Sequence, residues 1–165
     1  MKRQTSYIIF GISVCIILII GIYLWQQNIS NKGDIKVMIE NGEVREFDFK
    51  THTVTLNSGY KMPLNGIGTY SLTGEECYDA ITSALSSGVR LIDTAYMYHN
   101  EEEVGRAIRD SNVPREDIFV ITKIYPTQYD HPEEAIDAAL EKLDIGYIDM
   151  MLLHHPGSGD VEAYK

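Results

Sequence analysis

A strand, a helix and a second strand are predicted in succession by IFVITKIYPTQYDHPEEAIDAALEKLDIGYIDMMLL (118–153). Residues 118–123 form a continuous β-branched and aromatic run, which is typical of a strand covered on both faces. Residues 132–143 have helical periodicity. The positions of this helix that are predicted to face inward are Ile136, Ala139, Leu140 and Leu143. Because a strand at 148–153 follows, the helix is a crossover of the kind that joins parallel strands.

The same alternation of strand and helix is present upstream. It predicts strands at 64–67 and 90–93, and between them a helix that starts at the capping box of Thr73 and Glu76. Another helix is predicted from Asn100 onward. The chain is therefore of the α/β class. A doubly wound sheet and a (β/α)8 barrel both fit this pattern, although no G-x-G-x-x-G fingerprint follows the first strand.

An apolar run without any charge, YIIFGISVCIILIIGIYLW, occupies residues 7–25. At about 1.5 Å per residue, a helix of this length nearly spans the roughly 30 Å of a bilayer core. A secretory signal peptide is the alternative, but the run exceeds the usual apolar length and no small-x-small cleavage site follows. We therefore predict a single-pass membrane protein. Basic residues on both flanks leave open which side of the membrane the domain occupies.

The charge and cysteine content exclude several classes of partner. The chain has 14 basic and 24 acidic residues, and every acidic residue follows the apolar run, so nucleic acid is not an expected partner. Three glutamates at 101–103 are explained by a solvated first helical turn. Cys15 and Cys77 are far apart in the sequence and predict neither a disulfide nor a metal site.

Four side chains of complementary chemistry fall at the carboxyl ends of the predicted strands. Asp93, Lys123 and His154 end successive strands, and Tyr98 lies on the loop after the first of them. Catalytic groups of parallel barrels project from these ends. An ammonium would stabilise a phenolate, a carboxylate would keep the ammonium in place, and an imidazole could donate a hydrogen bond to a substrate oxygen. The set predicts hydride delivery to a carbonyl, with the phenol as general acid.

Each of these residues also has a purely structural interpretation. Asp93 could bond the turn that follows it, Tyr98 could be an exposed loop aromatic, and Lys123 could be a solvated strand end. The adjacent His154 and His155 suggest a metal site. Neighbours in a strand point to opposite faces, however, and no further ligand has a suitable spacing, so no metal is predicted.

Four blocks of the sequence, in order, resemble the aldo-keto reductase family. The most specific is GVRLIDTAYMYHNEEEVG (88–105), which resembles the first signature of the family. The others are MPLNGIGTY (62–70), VPREDIFVITK (113–123) and YIDMMLLHHP (147–156). The resemblance covers residues 53–156. It implies a (β/α)8 TIM barrel of which the first four βα units are present, preceded by a β-hairpin. The transmembrane helix, predicted from the apolar run and not typical of the family, is expected before the hairpin.

The resemblance implies an NADPH-dependent reduction of aldehydes and ketones that uses neither metal nor flavin. By resemblance, Tyr98 is the proton donor and Lys123 activates it. Asp93 holds the lysine, and His154 orients the substrate carbonyl. The expected partner is therefore a small carbonyl compound, whose identity the sequence leaves open.

The resemblance also implies which residues line the pocket. Thr69, Tyr70 and Asp93 match cofactor-lining positions, and Tyr70, His154 and His155 match substrate-lining positions. Tyr70 and His155 stand where many members of the family carry tryptophan. A more polar pocket is therefore expected.

The predicted domains are a short basic tail at 1–6, the transmembrane helix at 7–25, a linker at 26–52 with a hairpin at Asn41-Gly42, and a partial barrel at 53–165. The family's strands five to eight, with the residues that clamp the cofactor, are expected beyond Lys165. We therefore expect weak NADPH binding by this chain. The alternative function is a catalytically incompetent, membrane-anchored half-barrel that acts as an interaction module. The oligomeric state is left open.

Overall fold

The structure, a computed structural model, describes residues 35–40 and 43–165. The chain divides into two units, residues 1–61 and residues 62–165. The second unit contains every side chain that the sequence predicts for the site.

In the amino-terminal part of the chain, short strands pair in sequence order. They are β1 (Ile35–Glu40), β2 (Glu43–Asp48), β3 (Thr53–Thr55) and β4 (Lys61–Pro63). β1 and β2 are antiparallel, with Glu40 opposite Glu43. This register leaves a two-residue connection, Asn41-Gly42, whose own geometry lies outside the described residues. Asn-Gly suits such a connection because both residues tolerate a positive φ.

The second unit contains a four-stranded parallel sheet and the helices that connect its strands. The strands are β5 (Ile67–Gly68), β6 (Leu91–Asp93), β7 (Phe119–Ile124) and β8 (Met150–Leu153), in that order across the sheet. The helices are α1 (Gly74–Ser86), α2 (Glu101–Asp110), α3 (Pro132–Leu143) and the short α4 (Asp160–Ala163). Every strand pair is parallel, so the alternation predicted from the sequence produces a partial TIM-barrel-like fold.

The core of this unit lies between the sheet and the helices. Its largest fully buried apolar side chains are Ile81, Ile92, Val104, Ile118, Val120 and Leu143. β7 is buried at almost every position, as its continuous apolar sequence predicts. Burial of apolar side chains on the strands and on facing helix stripes therefore holds the strand ends in register.

The first turn of α1 and the inner face of α3 differ in detail from the expectation. Thr73 occupies the position before α1, but its side chain makes no capping hydrogen bond. In α3, Ile136 is 37% exposed, and Ala135 is buried with Ala139 and Leu143. Residues 135, 139 and 143 are spaced by four, so the buried stripe keeps the predicted Ala139 and Leu143 but contains Ala135 in place of Ile136.

The prediction of a single-pass membrane protein is wrong. Within the described ranges, no helix is long and apolar enough to cross a bilayer. The 13 residues of α1 span about 20 Å at 1.5 Å per residue, well short of the roughly 30 Å required. The apolar run at 7–25, on which the prediction depended, lies outside the described residues.

Candidate active site

The ammonium of Lys123 lies at the centre of a cluster at the carboxyl end of the sheet. Its Nζ donates to Asp93 Oδ1 at 2.6 Å and to the backbone carbonyl of Thr94 at 2.8 Å. The hydroxyl of Tyr98 lies 3.5 Å from the same nitrogen. An ammonium has three protons and accepts none, so these three oxygens complete its hydrogen bonding.

The register of the sheet explains why the charged pair forms. Asp93, the last residue of β6, stands beside Ile121 of β7. Lys123 is two residues further along β7, so its side chain projects from the same face as that of Ile121. The side chains of Lys123 and Asp93 are mostly buried, with 12% and 34% of their surface exposed. A partly buried pair of this kind is screened less by solvent than a surface pair.

Tyr98 reaches the cluster from a single 3-10 turn, Tyr96–Tyr98, that follows β6. Its N–H donates to the carbonyl of Ala95 at 3.0 Å, which closes the turn. His99 follows with φ of 55°, a left-handed conformation that redirects the chain into α2. The phenol is therefore held over the strand ends by a short loop with a defined conformation.

His154 follows the last residue of β8, and its N–H donates to the carbonyl of Ile124 at 2.9 Å. Its ring meets the ring of Tyr98 edge-on, with centroids 5.5 Å apart and planes at 86°. Tyr125 packs against its ring at 5.7 Å. Burial, followed by the neighbouring His155 and Lys123, lowers the pKa of His154 below its usual range. The imidazole is therefore neutral at neutral pH.

The two adjacent histidines do not point to opposite faces. The ring centroids of His154 and His155 are 4.5 Å apart, with planes inclined by 33°. Both residues lie beyond the end of β8, where the alternation of a strand no longer holds. His155 is exposed and also contacts Tyr125, at 5.8 Å between ring centroids. The structure therefore places both imidazoles on the same side of the site.

The residues predicted to line the cofactor differ strongly in exposure. Tyr70 is 74% exposed, and its ring meets that of Tyr98 at 5.3 Å between centroids. Thr69 is fully buried, and its hydroxyl donates to Asn100 Oδ1 at 3.4 Å. The side chain of Tyr70 thus lines the open mouth of the site, whereas that of Thr69 belongs to the layer beneath it.

Sequence reasoning missed two buried polar residues in that lower layer. Asn100 is fully buried and bonds the loops that follow β5 and β6. Glu101, interpreted from the sequence as part of a solvated turn, is only 3% exposed and accepts from the hydroxyl of Thr122 at 2.7 Å. The available signal was their position, since both begin the helix that follows the loop carrying Tyr98. A helix start alone does not distinguish a buried polar residue from a solvated one.

A sheet of four consecutive parallel strands connected by helices, with these groups at its strand ends, is a partial TIM-barrel-like fold. Residues 65–161, more than half of the chain, match the model of the aldo/keto reductase family. The chain belongs to this family.

The chain is similar to enzymes from several organisms. Glycerol 2-dehydrogenase (NADP(+)) of Saccharomyces cerevisiae is 46% identical over 115 residues, which cover 70% of this chain and 37% of the yeast protein. Morphine 6-dehydrogenase of Pseudomonas putida is 45% identical over 109 residues, covering 65% of this chain and 37% of that protein. The chain thus spans little more than a third of the length of these relatives.

Among solved structures, the chain is similar to an aldo-keto reductase enzyme from a Medee basin deep-sea metagenome library. The TM-score is 0.62 and the sequence identity 46%, over 66% of this chain and 41% of the other. An aldo/keto reductase of Brucella melitensis aligns with a TM-score of 0.59 and 41% identity, over 61% of this chain and 40% of the other. The partial barrel fold is therefore shared with solved members of the family.

Proposed function

We propose that this site reduces the carbonyl group of an aldehyde or ketone to an alcohol, with NADPH as the source of hydride and Tyr98 as the proton donor. The observation that carries the proposal is the placement of Lys123 Nζ, which lies within hydrogen-bonding distance of Asp93 Oδ1 and of the hydroxyl of Tyr98. A phenol is a weak acid, and it needs such a partner to act at neutral pH.

The lysine favours proton release by stabilising the charge that the phenol acquires. As Tyr98 gives its proton to the alkoxide, its oxygen becomes negative, 3.5 Å from the ammonium of Lys123. An opposite charge at this distance stabilises the phenolate. Asp93 anchors the ammonium at 2.6 Å and so fixes the direction from which that charge acts. The positive charge is in place before the reaction begins, which avoids reorganisation during it.

His154 is proposed to donate a hydrogen bond to the substrate oxygen. Its lowered pKa keeps the imidazole neutral, so one of its nitrogens carries a proton and the other does not. Nδ1 is buried and has no hydrogen-bond partner among the residues that the structure describes. Nε2 is therefore the nitrogen that we assign to the substrate. With Tyr98 on the other side, it would hold the carbonyl oxygen between two donors.

The residues at the mouth fit a nicotinamide cofactor. Tyr70 offers a largely exposed aromatic ring beside Tyr98, and a flat ring of this kind can pack against a planar heterocycle. Asp93 lies at the end of β6, which pairs with β5, the strand that precedes Tyr70. When bound, the cofactor supplies hydride to the carbonyl carbon. The similarity to the yeast glycerol 2-dehydrogenase (NADP(+)) supports NADPH as the form used.

Isotope transfer tests the proposed reaction directly. NADPH that carries deuterium at the transferable position would be incubated with an aldehyde and either the 165-residue chain or a graft. In the graft, residues 65–161 replace the matching segment of the deep-sea aldo-keto reductase. We expect deuterium on the alcohol carbon with the graft, and a large loss of product when the graft also carries Lys123→Met. Deuterated alcohol from neither protein would contradict the proposal.

A further inference from the structure

We propose that Asn100 is a positioning residue of this site: its carboxamide holds Thr94 and the turn that carries Tyr98 against Lys123. The inference rests on the proposed function for its importance, but its geometry stands independently of any reaction. Asn100 is fully buried and contacts none of the four predicted catalytic side chains through a hydrogen bond in the described part of the chain. It therefore acts through other residues.

The carboxamide of Asn100 has every hydrogen-bonding position filled. Nδ2 donates to the carbonyls of Thr69 and Leu72, at 2.9 and 2.8 Å. Oδ1 accepts from the hydroxyl of Thr94 at 2.8 Å and from that of Thr69 at 3.4 Å. An amide offers two donor protons and two acceptor lone pairs, so the group is fully used. This single side chain therefore joins the loop after β5 to the loop after β6.

Thr94 connects Asn100 to the lysine. Its hydroxyl donates to Asn100, while its own carbonyl accepts from Lys123 Nζ at 2.8 Å. Its N–H donates to the carbonyl of Ile121 at 2.8 Å. Movement of Thr94 would therefore displace one of the three oxygens that hold the ammonium.

The hydrogen bond from the Thr94 hydroxyl to Asn100 also closes the loop that carries Tyr98. The hydroxyl of Thr94 and the carboxamide of Asn100 meet across the segment 95–99, which includes the 3-10 turn. A cross-link between the ends of a short loop restricts its conformations. Asn100 thus fixes both members of the proposed catalytic pair, Lys123 through Thr94 and Tyr98 through the loop.

A simple role in helix capping does not account for these contacts. Asn100 occupies the position before α2, where an asparagine commonly accepts from a backbone N–H of the first turn. Its side chain makes no such bond and is directed to the loops instead. Loss of the side chain should therefore disturb the site more than it disturbs the start of α2.

The test is a double-mutant measurement by NMR on the full 165-residue chain with ¹³C-labelled tyrosine. Lys123→Met removes the ammonium, and the resulting change in the Tyr98 ring ¹³C shifts reports how closely the two residues are coupled. We expect Asn100→Ala to reduce that change by at least about half, since charge effects weaken with distance. Asn112 is an exposed asparagine, so Asn112→Ala is the matched control. It should leave the change in the Tyr98 ring shifts intact.

The inference would be overturned if Lys123→Met changed the Tyr98 ring ¹³C shifts as much in a folded Asn100→Ala chain as in the natural chain. This holds even if the Asn100→Ala chain had become less stable. If Asn100→Ala does not fold, Thr94→Val decides by the same measurement, because it deletes only the hydroxyl that donates to Asn100. We expect a reduced response there, and an undiminished one would overturn the inference. Neither NMR measurement requires catalytic activity. Failure of the proposed reaction would therefore be detected separately, in the isotope-transfer experiment.

Discussion

His154 illustrates how local packing sets the charge of one residue. Burial lowers its pKa, and the adjacent His155 and Lys123 lower it further, with only Asp93 opposing. Protonation would place a cation among these groups in a partly buried site. At neutral pH the proposed hydrogen bond to a carbonyl is therefore donated by the neutral imidazole.

We predict that His154 titrates below pH 6.5, the ordinary value for histidine. Because its folded-state pKa is depressed, the unfolded chain takes up the proton first as the pH falls. The contribution of His154 to stability is thus complete above pH 6.5 and is lost as the pH decreases through the folded value. Long-range ¹H–¹⁵N spectra, assigned with a His154→Gln variant, measure the midpoint. A midpoint above that of a histidine peptide would contradict the assignment.

At the residue scale, the sequence predicted the side chains of the cluster but not the backbone atoms or buried amides that hold them. Lys123 and Asp93 pair as the strand-end pattern predicts. The carbonyl of Thr94 bonds the same ammonium, yet every residue has a carbonyl, so no sequence pattern marks this one. The roles proposed for Tyr98 and His154 stay predictions, although their rings lie together.

The contact between α2 and α3 depends on a glycine. A Cβ placed on Gly105 would overlap the carbonyl oxygen of Leu143 and lie 2.9 Å from its Cα. The two helices therefore approach each other more closely than an alanine would allow. Backbone atoms cannot yield in the way that the end of a flexible side chain can.

We predict that Gly105→Ala destabilises the second unit by about 1–3 kcal/mol, the usual cost of overpacking, despite the better helix propensity of alanine. Chemical denaturation followed by circular dichroism measures the change. Gly68→Ala is the matched control, because a Cβ there meets no atom within 4 Å among the described residues. Equal stability of the two variants would show that the helices are not in the described contact.

The first turn of α2 also contains a buried carboxylate, Glu101. Burial raises its pKa, opposed in part by the hydrogen bond from Thr122 and by Lys142. The Nζ of Lys142 is 4.0 Å from Glu101 Oε2, at the limit of an ion pair. The charged form of Glu101 is therefore less favoured in the folded chain than in the unfolded one.

We predict that Glu101→Gln preserves the fold and gains stability relative to the natural chain as the pH rises. The raised folded-state pKa means that Glu101 stabilises the fold most below about pH 4.5, and that this contribution is lost as the pH rises through the folded value. Glutamine keeps an acceptor for Thr122 and has no charge to desolvate. Denaturation at pH 4.5 and pH 8 measures the difference, and Glu102→Gln, on the exposed face, is the control. A stability difference between Glu101→Gln and the natural chain that is the same at both pH values would contradict the prediction.

At the element scale, periodicity predicted the helices better than the strands. Residues 132–143 form α3 with the predicted bounds. The first strand of the sheet was predicted at 64–67, but β5 contains only Ile67–Gly68. Short strands are defined by their partners rather than by their own sequence, and the partner of β5 is β6, more than twenty residues away along the chain. Nonlocal pairing of this kind has no local signal.

For the whole molecule, the family is established, whereas the activity of this chain is a proposal. The family model matches residues 65–161. The chain spans 37% of the yeast glycerol 2-dehydrogenase and 41% of the deep-sea aldo-keto reductase structure. Recognition of the family from the sequence was possible because its signature residues lie within this part.

We predict that the 165-residue chain alone binds NADPH weakly, with a Kd above about 0.1 mM. The described residues proposed to meet the cofactor are few, namely Tyr70 and Asp93, because the predicted Thr69 is fully buried beneath them. The net charge of −10 also opposes binding of a phosphate-rich anion. Titration followed by NADPH fluorescence measures the affinity, and the graft of residues 65–161 is the positive control. Micromolar binding by the chain alone would refute the prediction.

The effect of Tyr98→Phe on the rate of NADPH-dependent aldehyde reduction by that graft tests the central claim most directly. Tyr96→Phe, in the same 3-10 turn, is the matched control. Because the phenol is the proposed proton donor, we predict that Tyr98→Phe lowers kcat by about 100-fold or more and leaves NADPH affinity unchanged, while Tyr96→Phe has little effect. Turnover of Tyr98→Phe equal to that of Tyr96→Phe would contradict the claim.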